Sequence, residues 1–240
     1  MPTGLGDEKL WLCPSLDDSA DDLSGNGNHG TYNGGMGTVA DTSNGGTRAY
    51  FFDGTDDYIS GFPTVITNFV GDPASTSVSC WIKKAATGTD PIFIATRGGS
   101  GNGWYGQVWV TLSGTKKELL IKAAGALDYI DSQDADDTDW HHYAISFDAS
   151  RNATFYYDGA SKGTAAVSLP GTSGIALEIG SRQGIDFVSM YVDDYRIFDG
   201  ELTLSEAQAL ASKRGYQSSA GIKRINFSGG FQQLTGGFSG

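Results

Sequence analysis

Short runs of apolar, aromatic and β-branched residues recur along most of the chain, and clusters of Gly, Asn, Asp and Ser separate them. Runs of this length between turn-forming residues are typical of β-strands. In the run His141–Asp148, Tyr143, Ile145 and Phe147 occupy every second position, as in a strand that buries one face. The pattern predicts strands at 9–13, 48–53, 57–61, 76–84, 91–96, 104–112, 117–123, 127–131, 140–148, 153–158, 175–180 and 187–198.

One segment, Thr203–Ala211, has the Ala- and Leu-rich composition and the apolar spacing of a helix. Either Thr203 or Ser205 can serve as its N-cap, and Glu206 stands three residues after Thr203, as in a capping box. On a chain that is otherwise built of strands, we expect this helix to form a lid on an edge of the folded body.

The regular succession of short strands predicts an all-β fold of two packed antiparallel sheets, because strands of a parallel sheet would alternate with helices. The Asp158-Gly159 pair after residues 153–157 indicates a hairpin end. A chain of 240 residues fits one such domain, which we place at residues 1–213. Residues 214–240 form a Gly/Phe-rich arm, and 35 glycines in the chain fit many tight turns.

Aromatic residues spaced by Gly in this arm suggest that it docks on a neighbouring protein surface. The docking residues would be Phe227, Phe231 and Phe238, and a disordered tail is the alternative interpretation.

The charge of the chain excludes some partners and favours others. A net charge of -12 without clustered basic residues argues against nucleic acid and anionic membranes, whereas it suits divalent cations. Cys13 and Cys80 each lie in an apolar run, so buried free thiols are favoured over a disulfide. The first residues lack a signal-peptide pattern, and no apolar run is long enough to insert into a membrane, which predicts synthesis in the cytosol.

Four segments in order resemble the laminin-G-like domains of the concanavalin A-like lectin/glucanase superfamily. They are Asp22–Gly30, Ala49–Ile59, Trp140–Asp148 with Tyr157–Gly159, and Val192–Asp199 followed by the predicted helix. The resemblance implies a jelly-roll sandwich in which the first and last strands pair. It covers nearly the whole chain up to the arm.

Relatives of this kind commonly hold a structural Ca²⁺ between the first loop and the Asp-Asp strand. The resemblance thus implies ligands among Asp22, Asn26, Asn28 and one of Asp193 or Asp194, all of which offer the oxygen atoms that Ca²⁺ prefers. The alternative is that these side chains only form turns. The acidic segment 128–139 could bind a second Ca²⁺, but a solvated loop is the better interpretation because it lacks the glycine hinge of known calcium loops.

Catalytic chemistry is not indicated. Glycoside hydrolysis by this superfamily uses paired glutamates on one strand, whereas the glutamates here are scattered, and Glu178 stands alone on its predicted strand. Of the paired aspartates, Asp56 and Asp57 read as turn residues. His141 and His142 lie in a strand where one would pack and the other face solvent. We therefore expect no enzyme activity.

A sugar-binding platform is predicted where the Gly98–Gly103 run meets the following strand. Arg97, Asn102, Trp104 and Tyr105 combine aromatic faces for stacking with polar groups for hydrogen bonds. The alternative is that Trp104 packs in the interior, as we expect of Trp81 and Trp109.

These observations predict a non-catalytic, lectin-like recognition or structural module that contacts carbohydrate. A chain with its own Met1, no export signal and a docking arm fits a phage virion surface protein, made in the host cytoplasm as a capsid decoration or fibre. It would contact other virion proteins through the arm and could form a homo-oligomer. The alternatives are a bacterial extracellular adhesin or lectin and, less favoured, a polysaccharide-degrading enzyme.

Overall fold

The computed structural model describes residues 7–64, 75–87, 94–97, 104–110, 117–123, 126–131, 137–150, 152–166, 176–181 and 187–217, with only the backbone given for 94–131 and for Ala176. The strands are Glu8–Leu12 (β1), Thr31–Asn33 (β2), Gly37–Ala40 (β3), Arg48–Asp53 (β4), Tyr58–Ser60 (β5), Thr76–Lys84 (β6), Ile94–Arg97 (β7), Trp104–Val110 (β8), Lys117–Ala123 (β9), Ala126–Asp131 (β10), Trp140–Phe147 (β11), Asn152–Tyr157 (β12), Ala160–Ala166 (β13), Ala176–Glu178 (β14) and Ser189–Asp199 (β15).

The strands form two antiparallel sheets, which confirms the predicted all-β sandwich. The large sheet has the order β13-β12-β11-β6-β15-β4-β3, with β1 also paired to β15. The small sheet has the order β10-β9-β8-β7-β14. An antiparallel bridge between Ile59 and Ile179 joins the β2-β5 ribbon to the small sheet beside β14. The first and last strands pair, as the resemblance implied.

Strands β2, β3 and β13 were not predicted, because they carry little apolar sequence. Residues of β13 are mostly exposed, and the strand is positioned by the turn that precedes it. Asp158 and Gly159 both have positive φ, at 48° and 74°, and connect β12 to β13 directly. Two such residues form the tight turn whose twist matches that of paired strands.

The main core lies between the two sheets and follows the predicted alternation. In β6, Val78, Cys80 and Ile82 point inward, and in β11 Ile145 and Phe147 do the same. Residues near β5 and β14 complete the core from the small sheet, among them Ile59, Leu177 and Ile179. Cys13 and Cys80 are buried free thiols, as expected.

The helix, α1 (Leu204–Leu210), packs on the outer face of the large sheet and also contacts the edge strand β13, so it covers more than the edge that the sequence predicted. Its apolar side, with Ala207 and Leu210, packs on Ala144, Tyr156 and Phe198. These side chains occupy the strand positions that alternate with the main core, and the outer face therefore needs a cover. The predicted capping box of Thr203 and Glu206 is present. Among the described residues, no helix has the length and apolar character needed to span a membrane.

Strand β15 changes partners along its length, and a bulge marks the change. Its first half pairs with β4 and its second half with β1, while β6 lies along the other side throughout. The register on β6 shifts between Asp193 and Arg196, and Asp194 has a φ of 51°. A bulge disturbs the strict alternation of side chains. At this bulge the consecutive residues Asp193 and Asp194 both reach guanidinium groups, of Arg214 and Arg196 respectively.

Arg196 is fully buried and gathers three chain segments around its guanidinium group. Nε donates to Asp194 Oδ1 at 2.8 Å, and Nη1 donates to Glu8 Oε1 at 3.0 Å. The guanidinium carbon lies 4.0 Å from the ring centroid of Trp11, and Nη2 donates to the carbonyl of Tyr216. The indole Nε1 of Trp11 donates to the same Asp194 oxygen at 2.7 Å. Both ends of the domain are thus tied to β15.

Arg214 makes a second buried cluster beside the first. Nε donates to Asp193 Oδ2 at 2.9 Å, and Nη1 donates to Asp41 Oδ1 at 2.8 Å. Its guanidinium stacks on Trp140 with the carbon 3.9 Å from the ring centroid. Gly46 makes room for this side chain, since a Cβ there would lie 2.4 Å from the guanidinium carbon.

The packed body includes Arg214 and Tyr216, which follow the domain end predicted at residue 213. Arg214 is 1% exposed and Tyr216 packs on the cluster beneath α1. The docking residues predicted in the arm, Phe227, Phe231 and Phe238, lie outside the described residues.

Removing the Arg214 guanidinium should leave Asp193 buried without its cationic partner. We expect Arg214→Met to lower the free energy of unfolding by about 3–5 kcal/mol, the usual effect of breaking one side of a buried ion pair. Urea unfolding followed by circular dichroism measures this change.

The matched control is Lys213→Met, which removes the neighbouring cation from an exposed position. It should change stability by less than about 0.5 kcal/mol. Combining Arg214→Met with Asp193→Asn should recover part of the loss, because the stranded charge is then gone. Equal losses of stability in Arg214→Met and Lys213→Met would contradict this account.

Candidate functional site

A groove of about 530 Å³ opens on the outer face of the large sheet, beside the C-terminal end of α1. Its floor contains Trp81 and Trp140, neighbours on β6 and β11 that reach the outer face because they alternate with core residues. The 3₁₀ turn Ser43–Gly45 forms one wall, and Asp139, at the start of β11, forms another. Helix α1 covers only part of this face and so leaves the groove open.

A row of large side chains crosses the sheet next to the groove. Strand pairing places Phe51 opposite Tyr191, Tyr191 opposite Lys83, and Lys83 opposite Trp140. The Phe51 and Tyr191 rings lie 4.9 Å apart at 34°, and both are partly exposed. Lys83 Nζ lies 5.2 Å from the centre of the Tyr191 ring. We call Phe51, Tyr191, Lys83 and Trp140 the outer-face row.

Asp41 connects the row to the buried arginines. Its Oδ2 accepts hydrogen bonds from Trp140 Nε1 at 3.1 Å and from Lys83 Nζ at 3.4 Å, while Oδ1 binds Arg214. Although burial opposes ionisation, hydrogen bonds from Ser43, Trp140 and Arg214 hold the pKa of Asp41 well below its usual range. This carboxylate is therefore negatively charged at neutral pH and fixes the positions of the Lys83 and Trp140 side chains.

His141 lies on the groove wall between two carboxylates. Nδ1 is 2.7 Å from Asp158 Oδ2 and Nε2 is 3.0 Å from Asp137 Oδ1, and the ring stacks on Tyr157. Burial alone would raise the pKa of Asp158, but the hydrogen bonds from His141 and from the backbone N–H of His142 lower it overall.

His142 points the other way and is buried on the outer face of the sheet. Its Nε2 lies 2.8 Å from Ser79 Oγ, and burial lowers the pKa of His142 to about 3, so the ring is neutral. Ser79 and His142 are residue types that can act as nucleophile and base. Both side chains are only 1% exposed, so a substrate could not reach them. One histidine packs and the other is partly accessible, which confirms the division expected from the sequence.

The predicted platform in the small sheet is placed only by its backbone. Arg97 ends β7, Trp104 and Tyr105 begin β8, and Tyr105 pairs with Ala95, so the three residues come close along paired strands. Asn102 lies outside the described residues. The predicted sugar contact at these residues stays a prediction.

The first loop is organised by its own hydrogen bonds. Asp22 Oδ1 accepts from the backbone N–H groups of Trp11 and Ser24 at 3.0 and 2.9 Å, and Oδ2 accepts from that of Asn28 at 2.9 Å. The side-chain amides of Asn26 and Asn28 donate to the carbonyls of Glu8 and Lys9 at 2.8 and 2.6 Å. The loop residues thus act as turn formers that attach it to β1.

The carboxylates expected opposite this loop are also engaged. Asp194 is bound by Trp11 and Arg196, and Asp193 is bound by Arg214 and by Ser15 Oγ. Burial, together with repulsion from Asp194, raises the pKa of Asp193, and the Arg214 charge offsets this effect. The side chains do come together around β1 and β15, but their oxygens face N–H groups and guanidinium groups. This arrangement does not fit the calcium site that the resemblance implies.

A second acidic group lies in the turn after β4. The carboxylates of Asp53, Asp56 and Asp57 lie within 4.8 Å of one another. Asp53 Oδ1 accepts from the backbone N–H of Thr55 at 2.7 Å, and Asp57 Oδ2 accepts from that of Asp53 at 3.0 Å. These bonds build the turn, which agrees with the interpretation of Asp56 and Asp57 as turn residues.

Removal of divalent cations should leave the stability of the domain unchanged, because arginine charges and backbone N–H groups already satisfy the expected ligands. We expect the melting midpoint with EDTA to agree within about 1 °C with that in excess Ca²⁺, since a ligand that does not bind the folded state adds no stability. Differential scanning calorimetry measures this. A fall of several degrees with EDTA that Ca²⁺ restores would mean that a calcium site exists.

Comparison with solved structures places this fold among lectin-like domains. Domain 4 of AbnA, an extracellular arabinanase from Geobacillus stearothermophilus, was solved in complex with arabinotriose; its TM-score is 0.64 at 19% identity, over 85% of this chain and 98% of that one. The binding domain of Paraclostridial Mosquitocidal Protein 1 has a TM-score of 0.66 at 15% identity, over 85% of this chain and 52% of that one.

A third similar structure is the binding domain of Botulinum Neurotoxin DC in complex with SialylT. Its TM-score is 0.63 at 15% identity, over 86% of this chain and 51% of that one. The chain thus spans nearly all of the arabinanase domain but about half of each toxin binding domain. At these identities the likeness shows the fold. No curated protein matches the sequence.

The family comparison agrees with the resemblance seen in the sequence. A family model described as the concanavalin A-like lectin/glucanases superfamily matches residues 53–208, which is more than half of the chain. The matched region contains the jelly-roll strands β5 to β15, two of the four segments in full, the greater part of Ala49–Ile59 and most of α1. The chain belongs to the concanavalin A-like lectin/glucanases superfamily.

Proposed function

We propose that this domain binds carbohydrate in the groove on the outer face of the large sheet, with the outer-face row as its stacking surface. The observation that carries the proposal is the position of two partly exposed aromatic rings, Tyr191 and Phe51, on the two strands that follow Lys83 of the groove lining across the sheet. Aromatic side chains present an apolar face with little loss of conformational entropy, and they are enriched where binding surfaces remain partly wet.

The groove supplies the polar half of such a site. Asn44, at φ 51° in an exposed turn, and the ammonium of Lys83 can donate hydrogen bonds, while Asp139 and Asp158 can accept them from sugar hydroxyls. Binding pockets commonly combine an apolar lining with a few oriented polar groups. The floor is rigid, since Trp81 Nε1 donates to the carbonyl of Leu210 at 3.2 Å and Asp41 fixes Trp140.

The comparisons support a carbohydrate ligand without identifying it. Two similar structures were solved with arabinotriose and with SialylT, and both share the sandwich of this chain. The chemistry of the groove and the family membership point to the same class of ligand. We therefore place this domain with non-catalytic binding modules.

Binding without cleavage fits the ionisation of the groove carboxylates. Hydrolysis of a glycosidic bond requires one carboxyl group with a raised pKa that can protonate the leaving oxygen. Hydrogen bonds from His141 and from the backbone of His142 instead lower the pKa of Asp158. Glu178, the lone glutamate of β14, accepts from Ser181 Oγ at 2.6 Å, away from the groove residues.

Truncation of Tyr191 should remove the stacking surface. We expect Tyr191→Ala to weaken glycan binding at least about tenfold, equivalent to about 1.4 kcal/mol, as for an aromatic residue central to an interface. Binding is measured by glycan array and then by isothermal titration with each neutral oligosaccharide that binds, which should be recovered uncleaved.

The matched control is Tyr58→Ala, which truncates a partly exposed tyrosine on β5, in the part of the fold that belongs to the small sheet. It should retain binding. The variant Trp104→Ala tests the platform predicted from the sequence. If binding survives in Tyr191→Ala but is lost in Trp104→Ala, the site lies on the small sheet and the groove assignment is wrong.

Display of this domain on a phage virion is the more specific proposal. It is supported by the acidic body, the sugar-compatible groove and the Gly/Phe-rich arm at 214–240, and a bacterial extracellular lectin remains the alternative setting. We expect mass spectrometry to detect the chain in purified phage virions. A deletion of the arm should prevent incorporation into the particle while the sandwich still folds, and it should begin after Gln217 because Arg214 and Tyr216 contact the body. A particle preparation that lacks the chain would contradict this setting.

A further inference from the structure

Negative charges outnumber positive charges at the mouth of the groove. The way these charges pair limits which glycans can enter. Asp139 is exposed, and the described contacts give its carboxylate no partner. The side chains of Asp137 and Asp158 are 36% and 44% exposed. Two accessible carboxylates of the groove lining, Asp139 and Asp158, therefore face any ligand that enters from this side.

The cation at the mouth, Lys83, is already partnered, because its Nζ lies 3.4 Å from Asp41. His141 lies between Asp137 and Asp158 and occupies one oxygen of each carboxylate. Arg214 is close to the floor, but its guanidinium is fully buried. Among the described residues of the groove, every cation thus has a carboxylate partner, whereas Asp139 has no cationic partner.

An acidic sugar would bind this arrangement with a less favourable free energy than a neutral one. Its carboxylate would have to displace Asp41 from Lys83 while it approached the unpaired charge of Asp139. A neutral sugar meets no such barrier, because its hydroxyl groups can donate to the same carboxylates. The net charge of -12 adds a long-range repulsion of acidic glycans.

We infer that the groove selects glycans built of uncharged sugars and rejects sialylated and uronic-acid glycans, with Asp139 as a specificity-determining residue. This inference rests on the proposed function, that the groove binds carbohydrate. The inference concerns only the charge of the ligand. It does not follow from the fold likeness, because one of the similar structures was solved with SialylT.

The test compares matched neutral and acidic probes on the full chain. The neutral probes are lactose, arabinotriose and cellotriose, and the acidic ones are sialyllactose and trigalacturonic acid. Affinities are measured by isothermal titration at 0.15 M and at 1 M NaCl. We expect acidic probes to bind at least about fivefold more weakly than neutral ones, the effect of one unscreened unit charge at close range in water. High salt should narrow the difference.

Two charge-removal variants isolate the role of Asp139. Asp139→Asn should raise the ratio of acidic to neutral affinity about fivefold, because it removes one repelling charge and keeps a hydrogen-bonding oxygen. Glu201→Gln is the matched control: it removes one exposed carboxylate next to Leu202, which donates to Ser77 and Ser146 at the far end of β6 and β11. That end lies about 20 Å from Lys83, at 3.3 Å per strand residue, and the ratio should not change.

The outcomes separate this inference from the proposed function. If acidic probes bind as well as neutral ones, while Tyr191→Ala abolishes both, the groove binds sugars and the charge selection is wrong. An equal shift in Asp139→Asn and Glu201→Gln would also overturn the role of Asp139. If Tyr191→Ala leaves binding unchanged, or no probe binds, the groove is not a sugar site and both proposals fail.

Discussion

The pairing of two buried arginines with adjacent carboxylates on β15 is the interaction on which the rest of this domain depends. Arg196 joins β1, β15 and the segment after α1, and Arg214 joins that segment to the turn that follows β3. Such charges stabilise a fold only when every partner is in place, because each would otherwise remain buried without compensation. The bulge at Asp194 makes the arrangement possible, since it lets both carboxylates reach guanidinium groups from consecutive positions.

Alternation of side chains was the sequence signal that carried most of the fold. It assigned Tyr143, Ile145 and Phe147 of β11 to the core correctly, because burial between two sheets repeats every second residue. In β6, Trp81 was expected in the interior but lies on the outer face. The same signal is absent from β13, whose side chains are mostly exposed and whose position follows from the Asp158-Gly159 turn. The position of α1 on the outer face could not be predicted either. An apolar outer face is visible in the sequence only when the partners of each strand are known.

The candidate site was harder to predict, since its residues come from five distant segments. Phe51, Tyr191, Lys83 and Trp140 share one row only because β4, β15, β6 and β11 are neighbours in that order. Each residue occupies a position of its strand that alternates with the core, which the sequence shows. The order of the strands was also needed to predict that the four residues lie side by side. The calcium expectation placed the acidic residues correctly near β1. It did not include the arginine in the same Asp-Asp-Tyr-Arg sequence as a competing partner.

Asp41 has a consequence for how this surface can diversify. One of its oxygens holds Arg214, and the other holds Lys83 and Trp140, so the groove floor and the internal framework share a single carboxylate. A substitution of Asp41 at the floor would therefore destabilise the whole fold, and selection for a stable chain would remove it. The rim, where Asn44 and Asp139 are exposed, can change at little cost. Descendants of this protein would therefore acquire new ligand preferences at the rim while the floor stays constant.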